Sequence, residues 1–210
     1  TGNASYSSYV LQSRDIRFVF TAPYRVSNPS KDNEPHPNFS AEEAHAFFAK
    51  HGLGIRAVAI LVDDASAAYH AAVANGAEGR LEPTELKPIH ADEPSQGTTT
   101  ISEILLYGDA VLRFVSGDYT GPFLPGYQPV ECAEKRCYGL ERLDHIVGNV
   151  SDMLETYNYL ARATGFHEFA EFTSEDVGTV DSGLNSIVAA SNNEMVLLPI
   201  NEPTFGTKRK

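Results

Sequence analysis

The sequence predicts an α+β fold of repeated units, each a strand, a helix and then strands in a hairpin, whose open sheets pair into barrel-like shells. Three observations predict it. An apolar strand, an amphipathic helix and a hairpin follow one another between 56 and 116, and the same order returns between 142 and 200. Arg56 aligns with Arg142 and Ala59 with His145 at a common offset, and the turn at Gly108-Asp109 aligns with Asn192-Asn193 at nearly that offset. Two open sheets of this kind can curve around a pocket lined by alternate residues.

The elements read as follows. At 8–24, SYVLQSRDIRFVFTAPY alternates through Tyr9 and Leu11, turns at Ser13-Arg14-Asp15 and returns through Ile16 to Phe20, which predicts a hairpin. It would be the tail of an earlier unit whose first strand and helix precede Thr1. A Pro- and Asn-rich surface loop follows at 27–38. Ser40 and Glu43 form a capping box for a helix that presents Phe47 and Phe48 and ends at Gly52. The segment 56–62 is apolar throughout and is expected to be a buried strand. Asp63-Asp64 cap a second helix with Ala65, Ala68, Tyr69, Ala72 and Val73 on one face, closed by Gly76. A Pro-rich connection at 81–97 leads to a hairpin turning at Gly108-Asp109. A linker rich in Gly and Pro, roughly 117–139, is the expected boundary. Beyond it, 142–150 reads as a strand. Ser151 caps a helix with Leu154, Tyr157, Leu160 and Ala161 inward, and Gly165 ends it. The segments 184–191 and 195–200 form the last hairpin.

Composition narrows the class. The chain has 210 residues, is 42% hydrophobic and 21% charged, and carries a formal net charge of −12. That is ordinary for a globular domain with a real core. The acidic balance argues against nucleic acid as a partner. No stretch reaches the roughly 18 apolar residues of a membrane span. Cys132 and Cys137 stand alone as a C-x4-C pair, which reads as two reduced thiols rather than a zinc site or a disulfide.

Strand alternation puts Leu143, His145 and Val147 on one face, where the earlier unit has Ala57, Ala59 and Leu61. One copy has thus exchanged an alanine for an imidazole. Periodicity leaves two readings of His145, a metal ligand or a hydrogen-bonded core histidine. His36, His45, His51, His70 and His90 fall in loops or at helices. His167 and Glu171 lie about 13 Å apart along a strand, too far for one ion's coordination sphere. Ser186 and Asn201 are polar residues of the last hairpin, and the sequence reads Asn201 as a turn residue before Glu202-Pro203. No catalytic acid, base or nucleophile is assigned: the chain has no G-x-S-x-G, Walker or G-x-G-x-x-G motif.

The segments GLERLDHIVGNV, TGFHEFAEFTSEDVGT, DSGLNS and NEMVLLPINEP, ending in GTKRK, resemble the 4-hydroxyphenylpyruvate dioxygenase family, most closely its plant-type branch. RFVFTAPY, HGLGIRAVAI and LYGDAVLRFVS resemble that family's N-terminal half. The resemblance implies the vicinal oxygen chelate fold of repeated βαβββ units. It implies a non-catalytic N-terminal domain at 1–117 with a truncated first unit, a linker at 118–138, and at 139–210 the first part of a catalytic domain. It further implies an Fe(II) cofactor held by two histidines and a glutamate. His145 matches the first histidine of that set, Ser186 and Asn201 match polar residues on the substrate side, and Val147 and Pro199 match wall positions. The second histidine and the glutamate are expected after the GTKRK segment, so a fragment inactive by itself is expected. For the intact enzyme the resemblance implies conversion of 4-hydroxyphenylpyruvate and O2 to homogentisate and CO2 in tyrosine catabolism. A cytoplasmic location is expected, or a plastid one if a transit peptide precedes Thr1. A homodimer is left open. Two other readings remain: a 4-hydroxymandelate synthase-like oxygenase on the same scaffold, and a metal-free module binding a small ligand.

Overall fold

A computed structural model describes residues 3–25, 36–86, 97–131, 138–173 and 183–204. Cys132, Cys137, His90, most of the 27–38 loop and the basic segment 206–210 lie outside the described residues.

The chain begins with an antiparallel hairpin, β1 (Tyr6–Ser13) and β2 (Ile16–Pro23), which stands as its own two-stranded sheet. Helix α1 (Ala41–His51) follows. Then come β3 (Ala57–Leu61), α2 (Ala65–Ala74), β4 (Gly79–Leu86), β5 (Thr99–Tyr107) and β6 (Ala110–Gly117). The last unit is β7 (Gly148–Asn149), α3 (Met153–Thr164), β8 (His167–Phe172), β9 (Leu184–Ala190) and β10 (Leu197–Pro203). The two four-stranded sheets have one topology, β3-β6-β5-β4 and β7-β10-β9-β8. In each, the first strand runs parallel to the last and the remaining pairs are antiparallel. The repeat legible in the sequence is therefore a βαβββ repeat in space, and both sheets are open.

Each sheet buries one face under its helix. Val58, Ile104, Leu112 and Phe114 pack with Ala65, Tyr69 and Ala72 of α2. Ile187, Ala189, Leu198 and Ile200 pack with Met153, Leu160 and Ala163 of α3. All belong to a single core cluster shared by the two units. Side-chain bonds cross the seam between the units. Tyr159 donates its hydroxyl hydrogen to the Leu105 carbonyl at 2.8 Å, and Arg162 Nε donates to the Asn75 carbonyl at 3.0 Å. A Cβ at Gly148 would collide with the ring of Tyr107, so only glycine admits that ring against β7.

Several expectations are corrected. The 56–62 strand is not buried on both sides: Val58 is buried while Leu61 is 80% exposed, because α2 covers one face only. The Pro-rich connection contains β4. Pro83 is tolerated there because β4 is a sheet edge with irregular register. Only Gly148–Asn149 of the expected 142–150 strand is paired as strand. The Ile146 amide still donates to the Leu197 carbonyl, but Leu197 is where β10 begins; further upstream the Glu141 carbonyl accepts instead from the Asp15 amide of the first hairpin. The cap of α3 is Asp152, whose carboxylate accepts from the Glu155 amide at 2.8 Å, not Ser151. The buried face accordingly runs through Met153, Leu160 and Ala163, and Leu154 is exposed. Helix α1 buries none of its residues, and Phe48 faces outward.

Candidate functional site

The face of the second sheet that turns away from α3 bears Ser186, Pro199 and Asn201. Asn201 on β10 pairs in register with Ser186 on β9 and Asn149 on β7. Paired residues share a face, so these three form a polar row across three strands. Asn201 Nδ2 donates to Asn149 Oδ1 at 3.3 Å. Asn201 is thus a strand residue, which corrects its reading as a turn. Pro199 pairs with Val188 one step along the same face. Val147 precedes Asn149 by two residues and so lies on that face too. His145 lies two residues further upstream, outside β7, next to Ile146, whose amide reaches the start of β10.

The environment of these side chains is graded. Ser186, Val188 and Ala190 on β9 are buried, whereas Val147 and His145 at the edge are exposed, the His145 side chain by 48%. His145 Nδ1 donates to Asp144 Oδ2 at 2.7 Å. A carboxylate can only accept, so the bond fixes the proton on Nδ1 and turns Nε2 outward. This is the arrangement in which a second carboxylate orients a metal-binding imidazole. Nε2 makes no hydrogen bond among the described residues. Asn149, Asp144 and Val188 were not among the residues read from the sequence as site candidates. Strand alternation from His145 would have found Asn149; Val188 needed the pairing of β9 with β10.

Among the described residues, no three histidine, cysteine, aspartate or glutamate side chains come together to hold a metal ion. One imidazole with a free Nε2 fits an iron site in part and does not complete it. His167 and Glu171 pair with Ala190 and Ile187, which lie on opposite faces of β9, so they form no ligand pair. His36, His45 and His51 are engaged with Glu103, the Tyr24 carbonyl and Asp109. Two cavities, of about 340 and 310 Å³, lie elsewhere: one beside α1, one between α2 and α3. Neither cavity is lined by His145, Ser186 or Asn201.

The architecture is that of the vicinal oxygen chelate class. A variant of 4-hydroxymandelate synthase from Streptomyces coelicolor superimposes over 97% of this chain and 52% of its own, with a TM-score of 0.71 at 18% identity. A fusion protein combining a xylose isomerase-like barrel with a 4-hydroxyphenylpyruvate dioxygenase superimposes over 95% of this chain and 27% of its own, with a TM-score of 0.60. Along its whole length the chain is homologous to the 4-hydroxyphenylpyruvate dioxygenases, plant members among them. It is 50% identical to the carrot (Daucus carota) enzyme and 49% identical to that of Arabidopsis thaliana, against 35% for that of Neurospora crassa. Each alignment includes all of this chain but 47%, 48% and 52% of those relatives, so the chain spans about half their length. No family model matches the chain.

Proposed function

We propose that the chain is part of an Fe(II)-dependent 4-hydroxyphenylpyruvate dioxygenase that converts 4-hydroxyphenylpyruvate and O2 to homogentisate and CO2. What supports this reading is that Ser186, Pro199 and Asn201 share one sheet face, with Val147 and His145 just upstream of β7, in a chain half identical to named plant dioxygenases. Bound Fe(II) would supply the activation of dioxygen. His145 would offer Nε2 to it, with Asp144 holding the imidazole in the required tautomer. The other donors would come from outside the described residues. The Asn201 amide and the Ser186 hydroxyl would orient the polar groups of the substrate, and Val147 and Pro199 would line its ring.

In this reading 1–117 is the non-catalytic domain, 118–138 the linker and 139–210 the first part of the catalytic domain. The β1–β2 hairpin is then the end of a first βαβββ unit. Phe18 and Phe20 follow the Arg14 turn at the spacing with which Leu112 and Phe114 follow the Gly108 turn. Leu112 and Phe114 are buried in the core that α2 closes. Phe18 and Phe20 are exposed, as expected of the same face without its helix. The test is the intact protein with His145→Ala. We expect loss of iron loading and of homogentisate formation; retained activity would sink the ligand assignment. Hydroxymandelate as product in the unmodified protein would move the assignment to the synthase.

A further inference from the structure

The cavity of about 340 Å³ beside α1 belongs to the first unit and shares no residue with the His145 face. Its floor is apolar. Leu105 and Val111 are cross-strand partners on the face of β5 and β6 opposite α2, and Phe47 of α1 lines the same cavity. Its rim is cationic, with Lys50, Arg56 and Arg80 set against Glu43 and Asp109, in a chain whose formal net charge is −12. That local reversal of sign is the first reason to ask what the cavity holds.

The walls are fixed by specific contacts. Lys50 Nζ and His51 Nε2 both donate to Asp109 Oδ2, at 2.6 and 2.7 Å, so the last turn of α1 is clamped to the β5–β6 turn. Those hydrogen bonds hold the Asp109 carboxyl down at about 2, so the clamp is charged at neutral pH. The loop from α1 to β3 folds back onto Phe47. A Cβ at Gly54 would lie 3.2 Å from that ring, so glycine lets the loop approach. The Arg56 carbonyl accepts from the Val111 amide at 3.0 Å, which fixes the Arg56 backbone beside the floor.

The three cations are not equivalent. Lys50 is engaged by Asp109, and Arg80 pairs with Glu78 at 3.0 Å. Arg56 has no ion pair and no side-chain hydrogen bond among the described residues. An apolar floor next to one uncommitted guanidinium matches a small amphipathic acid, with planar carboxylate recognition supplied by arginine. The volume lies within the range of small-molecule sites.

We infer that this cavity binds a small organic carboxylate, its apolar body on Phe47, Leu105 and Val111 and its carboxylate on Arg56. The site is separate from the His145 face and stands or falls independently of the dioxygenase reading. The test is titration of the isotope-labelled chain with cyclohexanecarboxylate, followed by amide NMR, with cyclohexanecarboxamide as the uncharged twin. Saturable shifts are expected at the amides of Gly54, Leu105 and Gly108. Affinity should fall at least about tenfold in Arg56→Gln, which breaks no ion pair or side-chain hydrogen bond among the described residues, and should be unchanged in His145→Ala. Shifts that fail to saturate by about 10 mM, equal binding of the carboxamide, indifference to Arg56→Gln, or loss of binding in His145→Ala would each overturn the inference.

Discussion

Asp144 and His145 are neighbours in sequence, and the bond between their side chains decides which imidazole nitrogen is available. Removing the carboxylate charge while keeping the shape tests that directly, because the amide oxygen left behind is a weaker acceptor. Asp144→Asn in the intact protein should lower iron affinity about 10- to 100-fold, the effect expected of losing the group that orients a metal-binding histidine. Unchanged iron affinity, measured by competition with a chelator, would show that the bond is incidental. Glu103 carries a second prediction at this scale. Burial pushes its carboxyl up, but the hydrogen bond from His36 and the guanidinium of Arg113 outweigh that and hold it down to about 2, from an ordinary value of 4.5. The unfolded chain therefore takes up this proton more readily than the folded one. The stability Glu103 contributes is complete above the unfolded value and disappears as pH falls towards 2. Urea midpoints measured from about pH 6 down to about pH 3 should fall more steeply for the wild type than for Glu103→Gln. Equal slopes would remove Glu103 from the acid response.

At the scale of elements, the caps and the uncovered faces carry the argument. Asp152 accepts from the Glu155 amide, and Asp64 accepts from the amides of Ser66 and Ala67. Asp152→Ala should cost about 1 kcal/mol and Ser151→Ala close to nothing, by equilibrium unfolding. The reverse order would restore the cap position read from the sequence. The hairpin is the opposite case. Tyr9 pairs with Phe20 and Leu11 with Phe18 on an exposed face, while the face of Tyr6 and Ser8 is buried. In β1–β2 the apolar face is thus the uncovered one. Alternation shows that a strand has two faces, but the element that covers one of them is distant in sequence. For this reason the same reasoning placed Leu61 inside, where it is exposed.

At the scale of the molecule, one core joins the two units across the expected linker, tied by Tyr159 to Leu105 and by Arg162 to Asn75. Tyr159→Phe removes a partly buried bond at that seam. It should lower stability by about 1 kcal/mol without separating the unfolding of the two units. Two resolved transitions in the wild type would show instead that the units melt apart. The site is less complete than the core. The described residues bring one candidate metal ligand to the face that bears Ser186 and Asn201. On the proposed reading, in which the other donors lie outside the described residues, the 210-residue chain alone should form no homogentisate under saturating Fe(II) and substrate. Turnover by this chain would mean that the missing donors lie within it.

The sequence by itself determined the repeat, the three hairpin turns, most of the helix ends and the homology to 4-hydroxyphenylpyruvate dioxygenases, because each rests on local spacing or residue identity. His145 was legible as the departure of one unit from the other, since duplicated strands can be compared position by position. The tertiary structure decided what depends on contacts between distant segments. It made β4 a strand despite Pro83, because that strand has an edge to occupy. It placed Asn201 between Ser186 and Asn149, because pairing register is set by partners at least fifteen residues away. It also turned Ser186, Pro199 and Asn201 away from α3, since burial of Ile187, Ala189, Leu198 and Ile200 under that helix selects which side of the sheet faces it.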